Sequence, residues 1–336
     1  MRTTTPTFLV LACALLGALP AAAAGRMIFQ LDDPRGDDHG DGALVYPLAR
    51  DFERGDLDLI AFSARRDGDG TLFEAIFARP VRTPEGEAID QLGTQLADVA
   101  RLGFYTFNLD IYIDLDREPG SGGVGMLPGR RAEVHPDFAW DRAVVLTPRP
   151  STARGELKRM IARSVKQAVE EQPGTAGSEE AEAQLEGLKA RIPEDVETRI
   201  FFPTRVQVRG PKVTFFVPAD FLGGTAQPEW AYVVVVSGAD IRQSFDLTSL
   251  IGVGEETRDR LMILPRGVGT WSDRFGGGRK GDELQTPLVD VVVPAGTTQE
   301  RLLSDYDVRQ GVPVRLLGVV LAAGGGETGK AGGGGR

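Results

Sequence analysis

Five aspartates lie close together near the amino end of the chain, within the segment LDDPRGDDHGDGALVYP (31–47). They are Asp32, Asp33, Asp37, Asp38 and Asp41. Carboxylates at this spacing repel one another unless water surrounds them or a cation binds between them. Calcium binds about six to eight oxygens, and the glycines of this segment would let backbone carbonyls join the carboxylates. The segment is not an EF-hand, because Leu48 stands where that loop requires a glutamate.

The residues alone leave two interpretations of these aspartates open. One is a calcium site. The other is a set of turns, because aspartate side chains commonly accept hydrogen bonds from turn N–H groups while remaining in water. Asp114 and Asp116, at the end of a strand-like segment, are a second source of carboxylate oxygens with the same two interpretations. Calcium is the one cofactor that the sequence predicts.

Other catalytic chemistry has little support in the residue types. The chain has two histidines, His39 and His135, and one cysteine, Cys13, which are too few ligands for a typical zinc site. No nucleophile motif accompanies the histidines. A glycosidase needs only two carboxyl groups at a fixed separation, so that activity stays open as an alternative. We assign no catalytic residue.

The elements that must position these residues are mainly strands. The segment FYTFNLDIYIDL (104–115) alternates, with Leu109 and Ile111 on one face and Asn108 and Asp110 on the other. This period of two predicts a half-buried strand. Further strand-like segments are LDLIAFSA (57–64), TLFEAIFA (71–78), RVQVR (205–209), KVTFFVP (212–218), AYVVVVSG (231–238), LVDVVVP (288–294) and VRLLGVV (314–320). Many strands with short turns are typical of an all-β antiparallel sandwich or jelly roll.

One part of the chain has helical periodicity instead. Residues 153–171 place apolar side chains on one stripe, and residues 178–192 offer a second helix that Pro193 should end. We expect these two helices to form a hairpin inserted at about residues 152–193. We expect the insertion to interrupt a single sandwich domain of residues 25–321. A packing role without function is the simpler interpretation of the insertion.

The two chain ends have compositions of their own. Residues 1–24 combine an early arginine, an apolar run and small residues, which is typical of a cleaved export signal. The apolar run is too short to span a bilayer. A lipoprotein signal ending at Cys13 is the alternative. Residues 322–336 are glycine-rich and are expected to be disordered. We therefore expect a periplasmic or secreted protein without a transmembrane segment.

The overall charge limits the partners. The formal net charge is −10 at pH 7. An acidic surface of this size disfavours nucleic acid and anionic membranes as partners, and it favours cations.

Aromatic residues outside the strands are candidate contacts for a sugar. Sugar recognition usually combines an exposed ring with a few polar groups that fix the orientation of the ligand. Trp271 is the best candidate because it lies in a long glycine-rich loop (266–283) beside Arg274. Tyr46 and Trp230 are further candidates. A ring tucked against a sheet is the alternative for each, since tryptophan is mostly buried.

Several sequence blocks, in their order along the chain, resemble a known family. The blocks are DPRGDDHGDGALVYP (33–47), GDLDLIAFSA (55–64), NLDIYIDLD (108–116), PGSGG (119–123), LPGRRAEV (127–134), HPDFAWDRAV (135–144), AYVVVVSGAD (231–240), FGGG (275–278) and TPLVDVVVP (286–294), followed by Gln299. Together they resemble the C-terminal binding module of glucodextranase, which is also found in amylopullulanase-type enzymes and in stand-alone bacterial proteins. The resemblance runs from about Phe29 to Leu321, apart from the helical insertion.

The resemblance implies a β-sandwich of the DOMON-like group, similar to carbohydrate-binding modules and with bound calcium in some relatives. It places Asp33, Asp37 and Asp38 at positions of the family motif, in an ordered loop that would hold calcium or brace a neighbouring turn. It also implies an exported, non-catalytic protein that binds carbohydrate or a cell-envelope glycan. The alternatives are a glycan-active hydrolase with paired carboxylates and a haem- or redox-partner protein of the DOMON-like group.

Overall fold

The computed structural model describes residues 25–47, 51–86, 93–171, 178–239, 275 and 284–321. The predicted export signal and the predicted disordered tail lie outside these residues. Trp271 and Arg274 also lie outside them.

The described residues form mostly strands. The strands are β1 (Met27–Asp32), β2 (Leu59–Asp67), β3 (Gly70–Phe77), β4 (Phe107–Asp114), β5 (Ala132–Val134), β6 (Arg142–Leu146), β7 (Ile200–Phe201), β8 (Val206–Arg209), β9 (Lys212–Pro218), β10 (Ala231–Gly238), β11 (Leu288–Val291), β12 (Val314–Leu316) and β13 (Val319–Val320). The helices are α1 (Leu96–Val99), α2 (Pro150–Glu170), α3 (Glu179–Arg199), α4 (Ala219–Leu222) and α5 (Gln299–Leu303), with a 3-10 turn at Pro136–Phe138.

The strands form two main sheets. The first has the order β1-β2-β3-β9-β8 and is antiparallel throughout. The second has the order β11-β10-β4-β6-β7, with β13 also pairing with β10. In the second sheet only β6 and β7 pair in parallel. A separate parallel pair joins β12 and β5. This arrangement confirms the predicted all-β antiparallel sandwich.

An apolar core lies between the two sheets. Phe29 of β1 contacts Tyr232 of β10, with ring centroids 4.6 Å apart. Phe77 of β3 contacts Phe107 of β4, with ring centroids 4.8 Å apart. Each pair joins strands of different sheets, and all four rings belong to one continuous buried cluster. The alternating apolar residues of both sheets therefore meet face to face, which is the packing of a sandwich.

A second apolar core covers the outer face of the second sheet. Tyr112 and Val235 on that face pack with Leu157 of α2 and Leu316 of β12 in one buried cluster. As a result, all eight residues of β4 are buried. The prediction of a half-buried strand was therefore wrong. Alternation correctly separated the two faces, but it could not reveal that helices and the β5–β12 pair cover the more polar one.

A buried ion pair neutralises the Asp110 carboxylate on the outer face of the second sheet. The Asp110 carboxylate accepts two hydrogen bonds from Arg130, from Nε at 2.6 Å and from Nη2 at 2.9 Å. Both side chains have essentially no exposed surface. Such a bidentate pair fixes geometry, because either charge alone would be strongly unfavourable there.

The helical hairpin is longer than its sequence pattern predicts. We expected Pro193 to end the second helix, but α3 runs through it to Arg199. Ile192 and Val196 continue the apolar stripe and are both buried, whereas Pro193 lies on the exposed face. Packing of this stripe against the second core outweighs the hydrogen bond that proline removes. Arg199 then places its guanidinium over the Trp140 ring, 4.4 Å from the centroid.

Candidate functional site: a buried acidic cluster

Three separate elements bring acidic side chains together at one end of the sandwich. Asp33 directly follows β1, and its N–H donates to the Ile60 carbonyl at 3.1 Å. Asp58 directly precedes β2 in the same sheet. Asp290 lies within β11 of the other sheet, and Asp37 lies in the loop after β1. The site thus depends on both sheets and on the aspartate-rich loop.

We call Asp33, Asp37, Asp58 and Asp290 the acidic cluster. The carboxylates of Asp33, Asp37 and Asp290 each offer an oxygen within 4.8 Å of the other two. Asp58 is near enough to raise the pKa of both Asp33 and Asp37 by charge repulsion. Asp290 is 0% exposed and Asp58 is 2% exposed. Two carboxyl groups are therefore removed from water, and those of Asp33 and Asp37 lie partly exposed beside them.

The hydrogen bonds of the acidic cluster leave several oxygens without a donor. Asp290 Oδ2 accepts from the Leu59 N–H at 2.6 Å, and Asp58 Oδ2 accepts from the Gly36 N–H at 2.8 Å. One buried oxygen on each member accepts no hydrogen bond from the described residues: Asp33 Oδ2, Asp37 Oδ1, Asp58 Oδ1 and Asp290 Oδ1. Among those residues, no lysine or arginine forms a salt bridge with the cluster.

The electrostatics of the acidic cluster disfavour the simultaneous ionisation of all its carboxyl groups. Burial, with repulsion from Asp58, raises the pKa of Asp37 to about 6. Burial and mutual repulsion raise the pKa of Asp33 and of Asp290 well above the usual range of aspartate. Carboxylates in this state either share a proton or bind a cation. The unpaired oxygens are of the type that hard cations prefer.

A buried glutamine holds the aspartate-rich loop against β11. Gln299 Oε1 accepts from the Val291 N–H at 2.7 Å, while its Nε2 donates to the carbonyl oxygens of Asp37 and Gly40, the latter at 3.2 Å. The Gly40 N–H donates to the Val289 carbonyl at 2.9 Å. The loop is therefore ordered by specific contacts, and its carboxylates are held in place before any ligand binds.

Asp38, the third aspartate of the predicted ligand set, has a different position. Its Oδ2 accepts hydrogen bonds from the Tyr46 hydroxyl and, at 2.6 Å, from the Gly55 N–H. These donors satisfy the side chain within the protein. The structure thus brings Asp33 and Asp37 together and uses Asp38 to fasten the end of the loop.

The second predicted source of oxygens also forms a group. Asp114, Asp116 and Asp141 each offer an oxygen within 4.8 Å of the others. Asp114 Oδ2 is buried without a hydrogen bond, but Arg117 Nε lies 3.8 Å from it. Backbone N–H groups satisfy other oxygens of the group, including Asp141 Oδ2, which accepts from Leu115 at 2.8 Å. Asp114 therefore has an arginine within 4 Å, whereas in the acidic cluster Arg35 acts on Asp58 without forming a salt bridge among the described residues.

Two of the predicted sugar-contacting rings are described. Tyr46 is partly buried, and its ring contacts Phe275 edge-on with centroids 5.1 Å apart. Trp230 is partly buried and packs against the core between the sheets. Both rings thus contribute to packing. Their role in ligand binding stays a prediction, as does that of Trp271 and Arg274.

Sequence reasoning missed Asp58 and Asp290 as members of the cluster. Asp290 is the charged residue in the apolar segment LVDVVV, and a charge at such a position is itself a signal of a buried interaction. Asp58 sits in an equally apolar setting between Leu57 and Leu59. Neither signal indicates which partner the charge meets, because that depends on the packing of the two sheets.

The comparison with known families agrees with this architecture. The profile of the family described as the C-terminal binding module, SLH-like, of glucodextranase matches residues 28–318, which is most of the chain. The chain belongs to this family. The resemblance drawn from its sequence blocks is thereby confirmed. No curated protein matches the sequence closely enough to add a relative.

By this match the protein is a binding module of the glucodextranase type. The residues that match the family include both main sheets and the acidic cluster. Within the part of the chain that the structure describes, no helix combines the length and apolarity needed to cross a bilayer.

Proposed function

We propose that this protein is an exported, non-catalytic module that binds a glycan or another carbohydrate component of the cell envelope. The observation that carries the proposal is the family match, which covers the entire sandwich and describes a binding module. Export rests on residues 1–24, whose composition is typical of a cleaved signal. The net negative charge supports a partner that is neither nucleic acid nor an anionic membrane.

A calcium ion in the acidic cluster is the second part of the proposal. Asp33, Asp37 and Asp290 would bind it, with Asp58 close by. Calcium suits this donor set because it takes carboxylate oxygens in irregular geometry. The ion would neutralise the repulsion within the cluster. Since Asp33 follows a strand of the first sheet and Asp290 belongs to the second, it would also link the two sheets.

This role for the acidic cluster is structural, and burial argues against the hydrolase alternative there. A glycosidase places both of its carboxyl groups against the sugar, about 5–9.5 Å apart. Asp290 is fully buried, so a pyranose ring has no access to it. Asp114 of the second acidic group is buried to nearly the same extent.

A glycan array probed with the exported form of the chain tests the binding function. The array is run once in millimolar calcium and once in chelator, with heat-unfolded protein as the control. We expect retention on a subset of glycans that is stronger in calcium, because the ion stabilises the folded sandwich. Absence of binding to every glycan in both conditions would contradict the proposed function. Release of sugar products from the array would favour the hydrolase alternative.

A further inference from the structure

A cleft separate from the acidic cluster lies between α5 and β12. It measures about 710 Å³, within the range of about 300–1,000 Å³ typical of small-molecule sites. Residues 305–310, Val312, Pro313 and Arg315 line it. The cleft is thus built almost entirely from one short loop.

Hydrogen bonds within this loop hold it in one conformation. The backbone groups of Asp307 and Val312 exchange two hydrogen bonds, at 2.9 and 3.0 Å. The Asp307 carboxylate accepts from the N–H groups of Arg309 and Gln310, at 2.8 and 3.1 Å. Gly311, with φ at 69°, completes the turn. A preformed loop of this kind loses little conformational entropy when a ligand binds.

The elements on either side of the loop are firmly anchored. Leu303, at the end of α5, and Val314 and Leu316, in β12, are fully buried in the second core. β12 also pairs with β5. The cleft therefore opens from a rigid part of the sandwich, which is where precise binding sites are best supported.

The side chains lining the cleft combine an apolar surface with hydrogen-bonding groups. Tyr306 is partly buried and packs on one side against the second core, and Val308 is 44% exposed. Asp305, Arg309 and Gln310 are exposed around them. The C–H face of a pyranose ring packs on an aromatic or aliphatic surface, while its hydroxyls need both donors and acceptors. The lining supplies each of these.

The charges of the cleft cancel, in contrast to the acidic surface of the whole protein. Asp305 and Asp307 are opposed by Arg309 and Arg315 among the lining residues. Arg315 also forms an exposed ion pair with Glu133 at 3.2 Å. A balanced lining of this kind does not favour a uronic acid or phosphate group over an uncharged ligand. It suits a neutral sugar, whose hydroxyls can pair with either type of charged group.

We propose that this cleft binds neutral hexopyranose units of a glycan. Tyr306 provides the ring contact, and Arg309, Gln310 and Asp305 pair with the sugar hydroxyls. The inference rests on the proposed function, and it assigns the ligand site to a loop that the sequence did not single out.

Affinity electrophoresis of the exported chain tests the assignment. Native gels contain a neutral polysaccharide (dextran, amylopectin or laminarin) or the anionic polygalacturonate. We expect a neutral polysaccharide to retard the wild type. Tyr306→Ala should weaken that affinity at least tenfold and Arg309→Ala several-fold, whereas Tyr306→Phe should stay within about threefold because the ring remains.

Arg209→Ala is the matched control, because Arg209 is exposed on the edge strand β8 of the other sheet. It should bind like the wild type. Tyr306→Ala should melt below the wild type because the ring also packs on the second core, so binding is compared at a temperature at which circular dichroism shows every variant folded. Equal retardation of the wild type and Tyr306→Ala would leave carbohydrate binding standing and overturn the cleft assignment. Retardation by polygalacturonate alone would overturn the neutral ligand. A wild type that no gel retards would contradict both this inference and the proposed function.

Discussion

Asp290 shows how one residue can determine the chemistry of a site. It lies between Val289 and Val291 in a strand with no exposed surface, where an uncompensated carboxylate costs several kcal/mol. The Leu59 N–H donates to Oδ2, and no donor among the described residues reaches Oδ1. A carboxyl group in this position is explained by a proton shared with Asp33 or by a bound cation.

Asp290→Asn tests that explanation. Asparagine keeps the size of the side chain and an oxygen for Leu59, but it removes the charge. We expect the variant to lose the calcium-dependent rise in melting temperature, which at 100 times the Kd corresponds to about 2.7 kcal/mol of unfolding free energy. Without calcium it should be at least as stable as the wild type, because repulsion within the acidic cluster falls. Differential scanning calorimetry with calcium and with chelator measures both quantities.

Asp32→Asn is the control for this substitution. Asp32 is an exposed neighbour of the cluster, and its carboxylate accepts a hydrogen bond from Gln30 at 2.6 Å. It should retain the full calcium effect. A wild-type melting temperature that chelation leaves unchanged would contradict calcium binding at the acidic cluster.

At the scale of elements, the aspartate-rich loop is docked closely on β11. A Cβ added at Gly40 would lie 2.8 Å from the Leu288 carbonyl oxygen, so the loop and the strand meet there without room for a side chain. A Cβ at Gly36, in the same loop, would meet nothing within 4 Å. Both glycines have positive φ, at 60° and 89°. Substituting each glycine in turn therefore distinguishes the cost of backbone strain, which both positions share, from the loss of contact with β11, which affects only Gly40.

We therefore expect Gly40→Ala and Gly36→Ala to have different effects. Each should lose about 1–2 kcal/mol from the left-handed backbone conformation. Gly40→Ala should lose more, and it should also weaken calcium binding, because the loop must move away from β11. Urea unfolding and calcium titration of both variants measure this. Equal losses in stability and affinity would show that docking of the loop does not matter.

The helical hairpin is a second element whose role can be tested. Leu157 of α2 is buried in the second core, whereas Leu188 of α3 is 37% exposed. We expect Leu157→Ala to cost about 2–5 kcal/mol of unfolding free energy through the cavity it leaves. Leu188→Ala should change it by about 0.5 kcal/mol or less. If Leu157→Ala proved equally mild in urea unfolding, the hairpin would not be an integral part of the sandwich.

At the scale of the whole molecule, the second sheet is the central layer. Its inner face packs on the first sheet, and its outer face packs on the helical hairpin and the β5–β12 pair. Every residue of β10 is therefore buried, and its sequence is an almost continuous apolar run. This arrangement also places the acidic cluster where one bound ion would contact both sheets, so that the charge state of the cluster affects the stability of the entire fold.

The stability of the whole protein should therefore depend on pH in opposite ways with and without calcium. The pKa of Asp37 is raised to about 6, and those of Asp33 and Asp290 are also raised, so the metal-free folded state holds protons that the unfolded state releases above about pH 4. The stability that these protons confer is lost as pH rises through 6 and above. Calcium requires the ionised carboxylates, so its stabilising effect should grow over the same range.

The difference in melting temperature between calcium and chelator, measured from pH 5 to pH 8, isolates this effect. Groups outside the acidic cluster, such as the exposed Glu53 and Glu197, contribute equally to both conditions and cancel. We expect the difference to be larger at pH 8 than at pH 5. A difference that stays constant or shrinks as pH rises would mean that calcium binds elsewhere.

Local patterns in the sequence predicted most of the strands and two of the clustered aspartates. Alternation in segments such as 71–78 and 212–218 predicted strands because side-chain direction repeats every two residues, and the helical stripe of 153–171 was equally local. Asp33 and Asp37 were predicted together because they lie four positions apart in one loop. The number of strands and their short turns predicted the sandwich, and the order of the family's motifs supported it.

What surrounds these elements depends instead on how distant segments pack in the folded protein. That packing brought Asp58 and Asp290 to the aspartate-rich loop, buried the second face of β4, and carried α3 past Pro193. Periodicity shows which residues share a face, but it contains no information about which distant segment covers that face. Burial by distant segments removes the acidic cluster from water and raises its pKa values, so the chemistry of the site is a property of packing between the two sheets.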